Sequence, residues 1–105
     1  MNDSQLLKGV LEGCVLGVIA KGETYGYEII QKLNEAGFEE ILEGTLYPVL
    51  TRLEKKKLIK CRRAKSPLGP MRKYYSITDD GVEYFESFKE SYSLISKSAE
   101  RILDL

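Results

Sequence analysis

Between Leu58 and Thr78 the spacing of apolar residues changes, and that change restricts the fold more than any other feature of the chain. On either side, apolar residues recur every three or four positions, the period of a helix. Here two segments, Leu58–Lys65 and Met71–Thr78, read as strands around Ser66-Pro67-Leu68-Gly69-Pro70. Gly and Pro mark the turn. A turn centred on Leu68 sets Arg63 opposite Lys73, Cys61 opposite Tyr75 and Ile59 opposite Ile77. Ile59, Cys61, Tyr75 and Ile77 then share the face expected to meet a core. The tip gathers Arg62, Arg63, Lys65, Arg72 and Lys73. Like charges across strands repel, so such a tip stabilises nothing by itself and is expected to rest against phosphates.

Helical patterns flank the hairpin. Leu6, Leu7, Val10, Leu11, Cys14, Val15, Val18 and Ile19 form one apolar stripe, with Asp3 or Ser4 as its cap and Gly22 as its end. Gly9, Gly13 and Gly17 form a second stripe on the same helix, which suits close approach by another helix but is equally what incidental glycines on a buried helix would look like. Thr24 opens a second helix running to Ala36, stopped by Gly37, with Ile29, Ile30 and Leu33 on its buried side and Tyr25 and Tyr27 in its first turn. Phe38–Leu42 reads as a connector or a short strand. A third helix starts at Thr45 as N-cap, which places Pro48 in the first turn, where a missing N–H costs little. Leu46, Val49, Leu50 and Leu53 line one side of it. Thr45, Pro48, Thr51, Arg52 and Lys55 line the other, with Tyr47 on the flank. Thr78 caps a last helix, with Asp79 and Asp80 in its first turn, reaching about Leu103. Its apolar residues Phe85, Phe88, Tyr92, Ile95, Ala99 and Ile102 are spaced 3, 4, 3, 4, 3, a heptad seam on a rod of roughly 38 Å. That length outruns the core of a chain of 105 residues, so the seam is read as pairing across a two-fold axis; the other reading packs it on its own domain.

The expected fold is therefore mostly α with a small β-hairpin (α+β): a winged helix-turn-helix domain at 1–78 and a C-terminal dimerisation helix at 79–105. Charge follows the same layout. The 22 residues from Arg52 to Lys73 hold ten basic side chains and one acid, Glu54, a net +9. The remaining 83 residues carry −9, so the formal total is zero. A basic block that begins in a reading helix and ends in a wing is a nucleic-acid footprint. The competing reading is a winged-helix protein–protein module whose basic hairpin docks an acidic partner. Lys56 and Lys57 read as a solvated helix end, and Tyr74 and Tyr75 as packing residues. The chain has no histidine, and no paired carboxylates or activated nucleophile are apparent, so no catalytic residues, metal ligands or cofactor are expected. Cys14 and Cys61 form no CxxC and suit a reducing cytoplasm; buried thiols are preferred to a redox switch. The longest apolar stretch, Leu6–Ala20, is too short and too charged to span a bilayer.

Three stretches also carry a resemblance: Tyr25-Gly26-Tyr27-Glu28-Ile29, then Glu43 to Glu54, then Gly69 to Thr78. Together with Leu6–Glu12 they resemble the PadR family of bacterial transcriptional regulators, from about Leu6 to Gly81. The resemblance implies a homodimeric repressor on an inverted-repeat operator in double-stranded DNA, with the first and last helices forming the dimer. On that basis Thr45, Tyr47, Thr51, Arg52 and Lys55 are expected near base edges or phosphates, Tyr25 and Tyr27 on phosphate, and Lys65, Arg72 and Lys73 on the backbone or minor groove. Tyr27 and Tyr47 serve equally well as aromatics at the rim of the core. The resemblance further implies release by a small hydrophobic or aromatic effector in a groove, although a dry dimer core would contain the same residues and is the preferred reading. The residues expected there are Leu11, Val15, Val18, Phe85, Phe88, Tyr92, Ile95, Ala99 and Ile102. The sequence departs from the family pattern at Met71 and Ser76, which leaves the wing fewer basic contacts. It also lacks tryptophan, so Phe88 or Tyr92 would take the place of an indole.

Overall fold

The computed structural model describes residues 4–39 and 41–105, as α1 (Ser4–Ala20), α2 (Gly26–Glu35), α3 (Glu43–Lys55), β1 (Ile59–Lys65), β2 (Met71–Ile77) and α4 (Asp79–Leu103). The winged-helix arrangement anticipated from the hydrophobic periods is what forms, with α4 as its long final helix. Asp3, one of the two expected caps of α1, lies outside the described residues, as does Glu40 in the connector.

α1 is the central helix, touching α2, α3, β2 and α4. Its Val15, Leu16 and Ile19 meet Ile29 and Leu33 of α2, and Leu46, Val49, Leu50 and Leu53 of α3, in one core that also takes in Leu58, Ile59 and Tyr75. Burying each large aliphatic side chain contributes about 1.5–3 kcal/mol, which is the main force holding the three helices together. Burial also pushes the Tyr75 phenol up to about 12, because the ionised ring would lose its water there.

Both helix-turn-helix segments begin away from the expected residue, and each shift has a local cause. α2 starts at Gly26, with Tyr25 as N-cap, because Thr24 is committed elsewhere. The Thr24 N–H donates to the Tyr75 carbonyl at 3.0 Å, and the Tyr75 N–H donates back to Thr24 at 2.7 Å. Thr24 therefore extends the hairpin as a third strand position and cannot be helical. α3 starts at Glu43, two residues before Thr45, because Ile41 is buried in the core and Leu42 is extended, so the chain can turn at once. Pro48 consequently sits in the second turn, and its missing N–H leaves the Gly44 carbonyl without the usual helical donor on an exposed face where water can serve. Between α2 and α3 the described residues form no strand.

α2 and α3 end alike. Gly37 (φ +114°) and Lys57 (φ +62°) are left-handed. Phe38 and Leu58 then donate back to Leu33 and Leu53, both at 3.0 Å, and swing into the apolar interior. A lysine in that conformation costs of order 1 kcal/mol relative to glycine. Lys56 and Lys57 are both exposed at the end of α3, as expected, and the Lys56 ammonium also lies 3.1 Å from Glu12 Oε1 and 5.7 Å from the centre of the Tyr84 ring.

The hairpin register is the one a turn at Leu68 dictates: Arg63 opposite Lys73, Cys61 opposite Tyr75, Ile59 opposite Ile77. Its end is joined firmly to α4. The Thr78 N–H donates to the Leu58 carbonyl at 3.0 Å and its hydroxyl to the Lys57 carbonyl at 2.7 Å. The same hydroxyl accepts the Gly81 N–H at 3.0 Å, the cap expected from the sequence. Gly81 lies so close to the Leu58 carbonyl that a Cβ there would collide with backbone. Further along, Phe88 and Phe85 lie against Gly13 and Gly17 of α1, while a Cβ at Gly9 would meet nothing within 4 Å among the described residues. Two of the three stripe glycines thus receive an aromatic side chain of α4.

Candidate nucleic-acid interface

The start of α2, the first turns of α3 and the distal strand of the wing meet around one cleft of about 350 Å³, whose walls include Tyr25, Tyr27, Tyr47, Arg72 and Lys73. Five of the expected contact residues are brought together there. Tyr27 is 63% exposed, which separates it from the core rim. Tyr47 is half-exposed, with its hydroxyl directly over the Gly26 backbone, where a Cβ would meet it at 2.8 Å. The Arg72 guanidinium lies 3.8 Å from the centre of the Tyr25 ring, a cation–π contact. Thr45 and Arg52 lie on the other flank of α3, in a shallow cleft of about 220 Å³ with Lys8 and Glu12 of α1. Thr51 is exposed and its hydroxyl donates to the Tyr47 carbonyl at 3.0 Å, leaving its oxygen lone pairs free to accept. Lys55 and Lys65 are exposed and reach neither cleft. The ensemble offers guanidinium, ammonium and phenol donors on one surface, a donor set for phosphate oxygens and base-edge acceptors.

Sequence reasoning passed over the groups behind Arg72. The Arg62 guanidinium binds Glu23 in a two-point contact, Nε to Oε2 at 2.7 Å and Nη2 to Oε1 at 2.6 Å. Those bonds hold the Glu23 carboxyl below its usual range. Tyr74, opposite Arg62 in the register, meets the Tyr25 ring edge-on at 5.9 Å. The partners are 39 positions apart, so no local pattern signals the ion pair; the register alone places Arg62 beside Tyr74.

A second, mainly apolar cleft of about 590 Å³ opens between α1, the end of α2 and α4. Val18, Phe85, Phe88 and Tyr92 of the expected groove line it, together with Cys14. Leu11 and Val15 do not: they are buried on the inner side of α1, at 4% and 0% exposure, packed into the chain's own core. Ile95, Ala99 and Ile102 lie beyond it on the exposed outer half of α4. Lys21, Lys32 and Lys89 stand at its edge, a feature the apolar spacing did not reveal. Burial pushes the Cys14 thiol up, so it is less reactive than a free cysteine.

The sequence model of the transcriptional regulator PadR-like family matches residues 15–87. The chain belongs to that family. Its fold is also that of a PadR-like transcriptional regulator from Bacillus cereus, at 51% identity and a TM-score of 0.85 over 95% of this chain and 97% of the other. A Streptococcus transcriptional regulator matches at 48% identity and 0.83, over 94% and 97%. A PadR-like transcription factor from Bacteroides fragilis matches at 38% identity and 0.79, over 95% and 96%. This PadR-like chain is a transcriptional regulator and not an enzyme. Among the described residues no helix is long and apolar enough to cross a membrane.

Proposed function

We propose that this PadR-like regulator is a cytoplasmic repressor that binds an inverted-repeat operator in double-stranded DNA as a homodimer. The observation that carries this reading is the convergence of Tyr25, Tyr27, Tyr47, Arg72 and Lys73 on one cleft beside the exposed face of α3. In the mechanism, α3 enters the major groove with Thr45, Thr51 and Arg52 toward base edges, Arg being suited to guanine O6 and N7. Tyr25 and Tyr27 give hydroxyls to phosphate at the start of α2. Arg72, Lys73, Lys65 and Lys55 neutralise backbone charge, each phosphate contact adding about 0.9 to the salt slope. Residues 1–78 act as the reading unit and 79–105 as the pairing unit, with the outer seam of α4 meeting a second copy. That seam leaves Ile95 and Ile102 69% and 84% exposed in the single chain.

Release is assigned to a small hydrophobic or aromatic molecule in the cleft between α1 and α4. Its volume falls in the range of ligand sites, and Phe85, Phe88 and Tyr92 offer faces for stacking. Tilting α4 would pull on the reading helix, because the Thr78 hydroxyl bonds the Lys57 carbonyl at the corner that follows α3. A planar fluorescent ligand is expected to bind the wild type and to bind Phe88→Ala more weakly; equal binding removes the cleft from the account.

The test of the main reading is to mix the protein with sheared genomic DNA of its host near physiological salt and sequence what is retained. Enrichment of one or a few inverted repeats supports a specific dimeric regulator, and the adjoining genes point to the effector's chemistry. Retention without sequence preference, fading as salt rises, leaves a basic surface that docks an acidic protein.

A further inference from the structure

The outward face of the wing carries an unbroken row of five side chains: Glu23, Arg62, Tyr74, Tyr25 and Arg72. Glu23 grips Arg62 at two points, at 2.6 and 2.7 Å. Arg62 lies 4.9 Å from the centre of the Tyr74 ring. Tyr74 meets Tyr25 edge-on at 5.9 Å, and Arg72 covers Tyr25 at 3.8 Å. Arg72 is also 6.0 Å from the Tyr74 ring centre, so both guanidiniums approach the same ring. Ala64, opposite Arg72 in the register, is too short to compete for the ring.

Two like charges around one ring repel each other and compete for it. The Glu23 carboxylate removes that conflict by neutralising one of them. Backbone geometry makes the arrangement local: Thr24 pairs with Tyr75 in both directions, which places Glu23 and Tyr25 on the outward side of the sheet with Arg62, Tyr74 and Arg72. An unrestrained arginine loses rotamer freedom when it grips a phosphate; one already laid on a ring has lost much of it beforehand.

We propose that Glu23 is a positioning residue for DNA binding, acting through Arg62 and the Tyr74–Tyr25 pair to hold the Arg72 guanidinium ready for a phosphate. The proposal rests on the reading of Arg72 as a DNA contact. It makes a prediction opposite in sign to simple electrostatics. Removing an acidic charge from a DNA-facing element ordinarily strengthens binding. Glu23→Gln is expected to weaken it instead, by roughly three- to tenfold.

The experiment compares wild type, Glu23→Gln, Arg72→Ala and the double variant on the duplex best retained from a random-sequence pool, across a salt series. Arg72→Ala is expected to flatten the salt slope by about 0.9. In the Arg72→Ala background, Glu23→Gln is expected to change affinity by less than about twofold. Tighter or unchanged binding by Glu23→Gln overturns the proposal. So does an equal loss in both backgrounds, which would mark a merely structural role. An Arg72→Ala variant with unaltered affinity and slope instead removes Arg72 from the interface, and the positioning role with it. Should Glu23→Gln fail to fold, Arg62→Lys keeps the charge but not the two-point grip, and is expected to show the same dependence on Arg72.

Discussion

The two halves of α4 share one apolar spacing and differ in everything they touch. In the first half, Gly81 rests on the Leu58 carbonyl, and Phe85 and Phe88 cover Gly17 and Gly13 of α1. In the second half, Leu94, Ile95, Ile102 and Leu103 are between 64% and 84% exposed. A heptad seam therefore runs from a site the chain fills itself into a site that it leaves open. The first half belongs energetically to the reading unit. An exposed apolar stripe of that length is a surface for a second body, and the continuous spacing suits another copy of the same helix. The same helix thus joins the proposed partner contact to the DNA-reading face, through Thr78 and the corner at Lys57.

Substitutions that separate the halves follow from this contrast. Gly81→Ala drives a methyl into the Leu58 backbone and toward Ile77 Cγ1 at 2.7 Å, and backbone cannot move aside as a side chain can. A loss of about 3 kcal/mol or more is expected in urea unfolding. Gly13→Ala first meets the Phe88 ring, a side chain that can rotate away, so about 1–3 kcal/mol is expected. Combined with Phe88→Ala, its added cost should shrink, a coupling measurable in a double-mutant cycle. Thr78→Ala removes the cap and the bond to Lys57, and about 1 kcal/mol should be lost. Ile95→Glu with Ile102→Glu should do least to the single-chain fold, within about 0.5 kcal/mol. It should abolish the concentration dependence of the melting temperature that a dimer imposes.

Much of this was legible in the residues, and the exceptions share a cause. The hairpin register followed from the Ser66–Pro70 turn and the alternation of Ile59, Cys61, Tyr75 and Ile77, because side-chain period and turn length leave few alternatives. The Thr78 cap followed from its two acidic successors, whereas the glycine stripe suggested an approaching helix without saying which one, and suited incidental glycines equally well. The starts of α2 and α3 did not follow, because tertiary commitments decide them: Thr24 is held by Tyr75, and Ile41 is held by the core. A hydroxyl beside a helical pattern is a sound cap signal only when its backbone is not already paired. Leu11 and Val15 share a stripe with Val18, yet they lie on the inner side of a helix surrounded by four elements. The spacing that marks an apolar residue does not say which of two partners buries it. The row from Glu23 to Arg72 was half visible, through the register of Arg62 and Tyr74; its acidic end lies 39 residues away from its partner and leaves no pattern.

The most direct test of the central claim compares a duplex carrying a full inverted repeat with one carrying a single half-site, for the wild type and for Ile95→Glu/Ile102→Glu. The wild type should bind the full repeat far more tightly than the half-site, because two reading units act together. The variant should hold the half-site as well as the wild type and lose the advantage of the repeat. A variant that keeps the full advantage would show that the outer half of α4 does not pair two copies, and the division of labour along this helix would be wrong.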